Sequence, residues 1–249
     1  MNSKKEAATP ESRDALYKNM GKTVESFTPI LKESIIISKS LSQNIENEKY
    51  NAFEAFLSLN IYVQYMNIEL SAILRACFRA NSPVEKRYNI KWINCLILEG
   101  YKHLYGYGRK SKKSLWVSKI KPLLNVVKDQ EFQQDVVELE NRIVEFGNSN
   151  TTDIRQRNLS FHYDFDPVSV YNMLTALSEE EEVQRMNCFM SLLQDIASFI
   201  SEYIKKYVIS ISVEPHIASK YMFSISNVDI FRDNKDKIYS TMEDAIQSH

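Results

Sequence analysis

Glycine and proline are scarce in this chain, and their scarcity constrains the fold more than any other feature of the sequence. Only 5 glycines and 6 prolines occur in 249 residues. Because these two residues mark turns and interrupt helices, a chain with few of them is expected to form long unbroken elements. Residues 47–80 contain neither of them, and their apolar positions recur at intervals of three and four. This spacing predicts a long amphipathic helix.

The same periodicity predicts further helices, over residues 23–45, 84–105, 115–128 and 130–147. The clearest apolar stripe follows Ser178 and a run of glutamates, which together favour a helix start. Its members alternate threes and fours without a gap: Val183, Met186, Met190, Leu193, Ala197, Ile200, Ile204 and Tyr207. Such a stripe requires an apolar partner, and we expect it to line a bundle core rather than a groove for a cofactor or partner.

The predicted fold class is therefore all-α, an antiparallel bundle of long helices. We divide the chain into a polar N-terminal segment (residues 1–22), a helical bundle domain (residues 23–208) and a C-terminal appendage (residues 209–249). In the appendage, apolar and serine residues alternate between Ile209 and Val213, which is a strand pattern. A small β-hairpin and a short helix are the expected additions at the C-terminus.

Composition and missing motifs exclude several classes of protein. The net charge is -1, so any attraction for nucleic acid must come from a local patch. Phosphate-binding glycine loops, Cys-x-x-Cys pairs and Glu-x-x-His motifs are absent from the sequence. No apolar run approaches the length of a membrane span or a secretion signal. We therefore expect a cytoplasmic protein that contacts no membrane and uses no metal or cofactor.

Cations and aromatic residues interleave in the loop after the third predicted helix. Between Lys102 and Lys121 there is no aspartate or glutamate. Cations neutralise phosphates and aromatic rings stack on bases, so this composition is typical of proteins that bind single-stranded nucleic acid. The alternative, a solvated loop between helices, remains open. The RNA-binding candidates in the loop are Tyr107, Arg109, Lys110, Lys112, Lys113 and Trp116.

A short polar segment holds the strongest catalytic candidate. It reads Arg157-Asn158-Leu159-Ser160-Phe161-His162 and is followed by Tyr163. An arginine is always charged and a histidine titrates near neutral pH, so the pair can move a proton and stabilise an oxyanion without a metal. If the segment is helical, Asn158 and His162 are four residues apart and share one face.

The residues by themselves leave the role of this segment open. Arg155 also precedes His162 at a comparable spacing and is a further candidate for RNA binding. Chance alone gives about 0.5 such pairs of an arginine and a histidine in a chain of this composition, so the spacing by itself is weak evidence. His162 can instead cap a helix or pair with Asp164.

The segment resembles the signature of the HEPN superfamily (higher eukaryotes and prokaryotes nucleotide-binding domains). In that signature an arginine and a polar residue precede a histidine, often with a tyrosine nearby, as Arg157, Asn158, His162 and Tyr163 do here. The resemblance implies an all-α bundle and a metal-independent endoribonuclease of toxin or phage-defence type. His162 would act as general base or general acid and Arg157 would stabilise charge on phosphoryl oxygens. Asn158 would orient His162 or the phosphate, with Tyr163 in support.

The resemblance also implies partners. Domains of this kind commonly dimerise and join two motifs in one composite cleft, which implies a homodimer acting on single-stranded or tRNA-like RNA. An antitoxin or a nucleotidyltransferase is a further partner that the resemblance implies. The alternative is a catalytically inactive HEPN-like module that binds RNA, nucleotide or a partner protein. A third reading is an unrelated helical protein in which His162 is structural, so the sequence leaves open whether the chain is an enzyme.

Overall fold

Long helices make up most of the chain that the structure, a computed structural model, describes: residues 10–41, 48–106, 112–150 and 167–208. The helices are α1 (Pro10–Leu41), α2 (Glu48–Arg79), α3 (Pro83–Leu104), α4 (Leu123–Val126), α5 (Gln130–Asn150), α6 (Pro167–Ala176) and α7 (Glu179–Val208), with a π-helical turn (Trp116–Ile120) before α4. No strand occurs within these ranges, which confirms the predicted all-α class.

The four helices α2, α3, α5 and α7 alternate in direction and form the bundle. Tyr62 of α2 donates a hydrogen bond to the Gly100 carbonyl of α3 at 2.9 Å, and α7 packs on α2, α3 and α5. The rings of Phe146 and Phe189 join α5 to α7 at 5.2 Å between centroids. Helix α1 packs along α2. The predicted antiparallel bundle is therefore the observed architecture.

The apolar stripe of α7 forms part of the core, as its spacing predicts. Its members from Val183 to Ile204 are all buried. Around them lies a cluster of rings contributed by α2, α5, α7 and the π-helical turn. Phe199 of α7 contacts Phe56, Phe132 and Trp116 at centroid distances of 6.0, 5.8 and 6.1 Å.

Local capping residues set several helix ends where the sequence predicts them. Before α3, the Ser82 hydroxyl accepts from the Glu85 N–H at 3.2 Å, and the Glu85 carboxylate accepts from the Asn81 N–H at 2.7 Å. This pair of bonds resembles a capping box, except that the carboxylate accepts from the residue before the N-cap. Gly106 follows α3 with a φ of 85°, which glycine adopts without strain. Ser178 caps α7 by accepting from the Glu181 N–H at 3.3 Å.

Two predicted boundaries are wrong, and tertiary packing is the reason in each case. Helix α1 begins at Pro10 and not at residue 23 as predicted, because Met20 is buried in the core and its burial stabilises the helix. Helix α5 continues through Gly147 to Asn150. Gly147 is needed for space, since a Cβ there would come closer than 3.0 Å to the Tyr101 hydroxyl.

Other predictions fall on parts of the chain that are not described. Residues 209–249, with the predicted hairpin and short helix, lie outside the described residues. The domain boundaries at residues 22 and 208 remain predictions. Of the helices that are described, none is both long enough and apolar enough to cross a membrane.

Candidate functional site

The predicted catalytic residues Arg157, Asn158, His162 and Tyr163 lie outside the described residues, as does Arg155. The helices on either side of them are described. Helix α5 ends at Asn150 and α6 begins at Pro167. The structure therefore describes the helices on either side of the predicted catalytic segment and the residues that surround those helices.

The end of α5 is held firmly on α3 and α7. The Phe146 ring lies 5.8 Å from the ring of Tyr101 on α3 and 5.2 Å from that of Phe189 on α7. Gly147 lets the Tyr101 hydroxyl approach the α5 backbone. Because all three rings are buried, core packing fixes the position of the end of α5.

Helix α6 packs on α3 and leads into a cleft of about 560 Å³. Residues of the α2–α3 turn, the first turns of α3 and the α6–α7 connection line this cleft: Ala80, Asn81, Ser82, Pro83, Lys86, Arg87, Ile90, Leu177 and Glu179. Lys86 pairs with Glu179 at 2.6 Å. Arg87 is exposed and has no carboxylate partner among the described residues, so the cleft carries an excess of positive charge.

A buried polar network joins α3 to α7 beside this cleft. Asn94 Nδ2 donates to the Glu182 carboxylate at 2.9 Å, and Arg185 Nη1 lies 3.1 Å from the same group. Burial raises the pKa of Glu182, while Arg185 and Asn94 act in the opposite direction. The Asn94 Oδ1 is buried and accepts no hydrogen bond from the described residues.

Cys77 lies near the cleft but is not a nucleophile at neutral pH. Burial raises the pKa of its thiol to about 12; the charge of Glu179 adds to this increase, and the charge of Lys86 opposes it. Since the thiolate is the reactive form of cysteine, this group is inert under ordinary conditions. Within the described ranges, no three His, Cys, Asp or Glu side chains cluster in a way that suits a metal ion.

The described lysines of the predicted basic loop differ in their environments. Lys102 pairs with Glu99, Lys119 with Glu54 and Lys121 with Glu140, at 2.8, 2.8 and 2.6 Å. These pairs neutralise much of the charge that the loop shows in the sequence. Lys112 and Lys113 are exposed and pair with no described carboxylate. The candidates Tyr107, Arg109 and Lys110 lie outside the described residues.

The prediction that Trp116 stacks on RNA bases is wrong. Its side chain is 0% exposed, in the ring cluster of the core. It begins the π-helical turn, in which the Trp116 carbonyl accepts from the Lys121 N–H at 3.0 Å. An indole that fills the core has no free face on which a base could stack. The cationic residues next to Trp116 in the sequence gave no sign that its side chain is buried.

A cluster of two arginines and a tyrosine is the feature that sequence patterns did not reveal. The Cζ atoms of Arg75 and Arg79 on α2 lie 4.6 and 4.5 Å from the ring centroid of Tyr17 on α1. The spacing of the arginines places them on one helix face. Tyr17 is remote in sequence, so only folding brings the three side chains together.

No protein-family model, no curated protein and no solved structure matches this chain. The likeness of the Arg157–His162 segment to the HEPN signature therefore rests on the segment's own residues.

Proposed function

We propose that this protein is a HEPN-like, metal-independent endoribonuclease of toxin or phage-defence type, acting as a homodimer. The observation that carries the proposal is the Arg157-Asn158-x-x-x-His162 sequence in an all-α bundle, between α5 and the pair α6–α7. Its chemistry needs no metal, which agrees with the lack of metal-binding motifs in the sequence.

The described neighbours of the segment support an anionic substrate. Helix α6, which follows the segment, leads to the cleft, in which Arg87 is exposed and Lys86 is paired with Glu179. Exposed cations in a concave surface attract phosphate groups and raise their local concentration. Lys112 and Lys113 add exposed positive charge elsewhere on the bundle.

The proposed reaction is a transesterification within the RNA. His162 removes the proton of a ribose 2′-OH, and the 2′ oxygen forms a bond to the adjacent phosphorus. The bond from phosphorus to the 5′ oxygen breaks, and a histidine, in its acid form, gives that oxygen a proton. Arg157 stabilises the charge on the phosphoryl oxygens. The products are a 2′,3′-cyclic phosphate and a 5′-hydroxyl, and two motifs in a homodimer supply one base and one acid.

Incubation of the purified protein with single-stranded RNA in EDTA tests this proposal. We expect cleavage with 2′,3′-cyclic phosphate ends, and a loss of about 10²–10⁴-fold in His162→Ala because proton transfer is removed. Arg157→Ala should lose a comparable amount. His103→Ala is the matched control, since His103 is an exposed histidine of α3. Activity that is unchanged in His162→Ala, or that EDTA abolishes, would rule the mechanism out.

The alternative is a catalytically inactive module of the same kind that binds RNA, nucleotide or a partner protein. The cationic cleft favours this alternative as much as the nuclease, because binding requires only the charge. RNA binding without cleavage would support it. If Arg157→Ala and His162→Ala change the melting temperature and no activity is found, the pair is structural.

A further inference from the structure

We propose that Tyr17, Arg75 and Arg79 form a phosphate clamp that holds the backbone of RNA on the α1–α2 surface, away from the reacting residues. This assignment rests on the proposed function for the identity of the ligand as RNA. The three side chains of the clamp all belong to described residues.

The three side chains of the clamp hold one another in place. Arg75 Nη2 donates to the Tyr17 hydroxyl at 3.0 Å, and both guanidinium carbons lie over the Tyr17 ring. Gly21 makes room for Arg75, since a Cβ there would lie 3.2 Å from the Arg75 Cζ. Arg79 is exposed and Arg75 is half-buried, so Arg79 is the arginine of the clamp whose planar fork is more accessible to two phosphate oxygens.

The charges of the clamp are unbalanced. Neither Arg75 nor Arg79 forms an ion pair with any carboxylate of the described ranges. Both Cζ atoms lie within 4.6 Å of the same ring centroid, so two positive charges share one tyrosine and no described carboxylate compensates them. The Arg75 Nε is buried without a hydrogen-bond acceptor among the described residues. An anion beside the two guanidinium groups compensates their charge and accepts hydrogen bonds.

Further cations extend this surface in two directions. On α1, Lys18 and Lys22 are exposed on either side of Gly21. Past the α2–α3 turn, Arg87 lies at the cleft that adjoins α6. The exposed carboxylates on this part of α1 are Asp14, one turn before Tyr17, and Glu25, one turn after Gly21; set against the two lysines and the two arginines, they leave the excess positive. A surface of separated cations with fixed arginines matches the spaced phosphates of a nucleic acid strand.

RNA binding by full-length protein carrying His162→Ala tests the clamp without cleavage of the probe. The probe is a fluorescein-labelled single-stranded RNA of mixed sequence, and anisotropy gives its Kd at several salt concentrations. We expect Arg79→Ala to raise the Kd by about tenfold or more. The slope of log K against log salt should fall by roughly 0.7 for each phosphate that the variant no longer neutralises. Arg79→Lys keeps the charge but not the planar guanidinium, so its Kd should lie between that of the parent protein and that of Arg79→Ala.

Arg142→Ala is the matched control. It removes one exposed arginine of α5 that pairs with Asp195, and the Kd and salt slope should stay at the parent values. Tyr17→Phe, which deletes only the hydroxyl, gives a second test in which the ring remains for stacking and the Kd should rise. Equal losses of affinity in Arg79→Ala and Arg142→Ala would overturn the clamp, because diffuse charge would then explain binding. Melting temperatures of all variants show whether each one folds.

Different results would contradict the proposed clamp and the proposed nuclease activity. If the wild-type protein cleaves RNA and Arg79→Ala leaves kcat/KM and Kd unchanged, the clamp is wrong and the nuclease stands. If RNA binds and Arg79→Ala weakens it, yet the wild-type protein never cleaves, the clamp stands and the nuclease fails. Absence of RNA binding overturns both. Preferential binding to poly-glutamate, or to vesicles of phosphatidylserine and phosphatidylcholine, overturns the clamp as an RNA site.

Discussion

A methyl group at position 147 is expected to destabilise the bundle, although alanine forms helices better than glycine does. Gly147 lies in the last turn of α5. A Cβ there would come closer than 3.0 Å to both Oη and Cζ of Tyr101. Tyr101 is buried, and its ring lies 5.8 Å from that of Phe146 and 6.3 Å from that of Tyr105. The ring therefore cannot move aside without disturbing its neighbours.

Two effects of opposite sign determine the size of the change. Alanine in place of glycine stabilises a helix interior by up to about 1 kcal/mol, and by less in a terminal turn. An extra methyl in a packed core costs about 1–3 kcal/mol, and here a buried ring must shift. We expect a net loss of about 1–2 kcal/mol, which lowers the Tm of a chain of this size by roughly 2–8 °C.

Thermal unfolding followed by circular dichroism measures this change, with Gly21→Ala as the matched control. The atoms nearest to a Cβ at Gly21 belong to the guanidinium of Arg75, at 3.2–3.4 Å, so a methyl group there needs a shift of only a few tenths of an ångström. We expect Gly21→Ala to leave the Tm unchanged or to raise it. A Tm of Gly147→Ala at or above the wild-type value would refute the reasoning, because the Tyr101 site would then have room for a methyl group.

Two further outcomes follow from ionisable groups. At pH 8 a thiol reagent should modify exposed Cys188 and leave Cys77 intact, since burial raises the pKa of Cys77 to about 12; rapid modification of Cys77 in the folded protein would contradict this. Burial also raises the pKa of Glu182 above its ordinary value of 4.5. The folded state therefore holds this proton more tightly than the unfolded state does. The resulting contribution to the free energy of unfolding is fully present below pH 4.5 and is lost as the pH rises through the folded-state pKa. The unfolding free energy of Glu182→Gln relative to wild type should therefore increase with pH above about 4.5, and a difference that does not vary with pH in urea titrations would disprove it.

Local signals predict the helical elements well where the controlling residues are close in sequence. Ser82 with Glu85, and Ser178 with Glu181, cap helices whose first turns they occupy. The catalytic prediction at Arg157 and His162 is local too, but it lies outside the described residues and remains a prediction.

Predictions about surface chemistry were less successful, because burial and ion pairing depend on distant residues. Trp116 stands among cations in the sequence and yet fills the core. Lys119 meets Glu54, which belongs to another helix. In both cases the residues that the side chain contacts are distant in the sequence, so the spacing of apolar or charged residues does not predict the contact.

Local sequence patterns are sufficient to predict a bundle of long helices, the positions where several of the helices start and stop, and the buried face of α7. The reason is that a lack of glycine and proline, apolar spacing and capping act over a few residues. Three features depend on how the helices pack: Gly147 makes space for Tyr101, acidic residues neutralise lysines near the basic loop, and Arg75 donates a hydrogen bond to Tyr17. These contacts join separate helices, so they exist only once the bundle has packed.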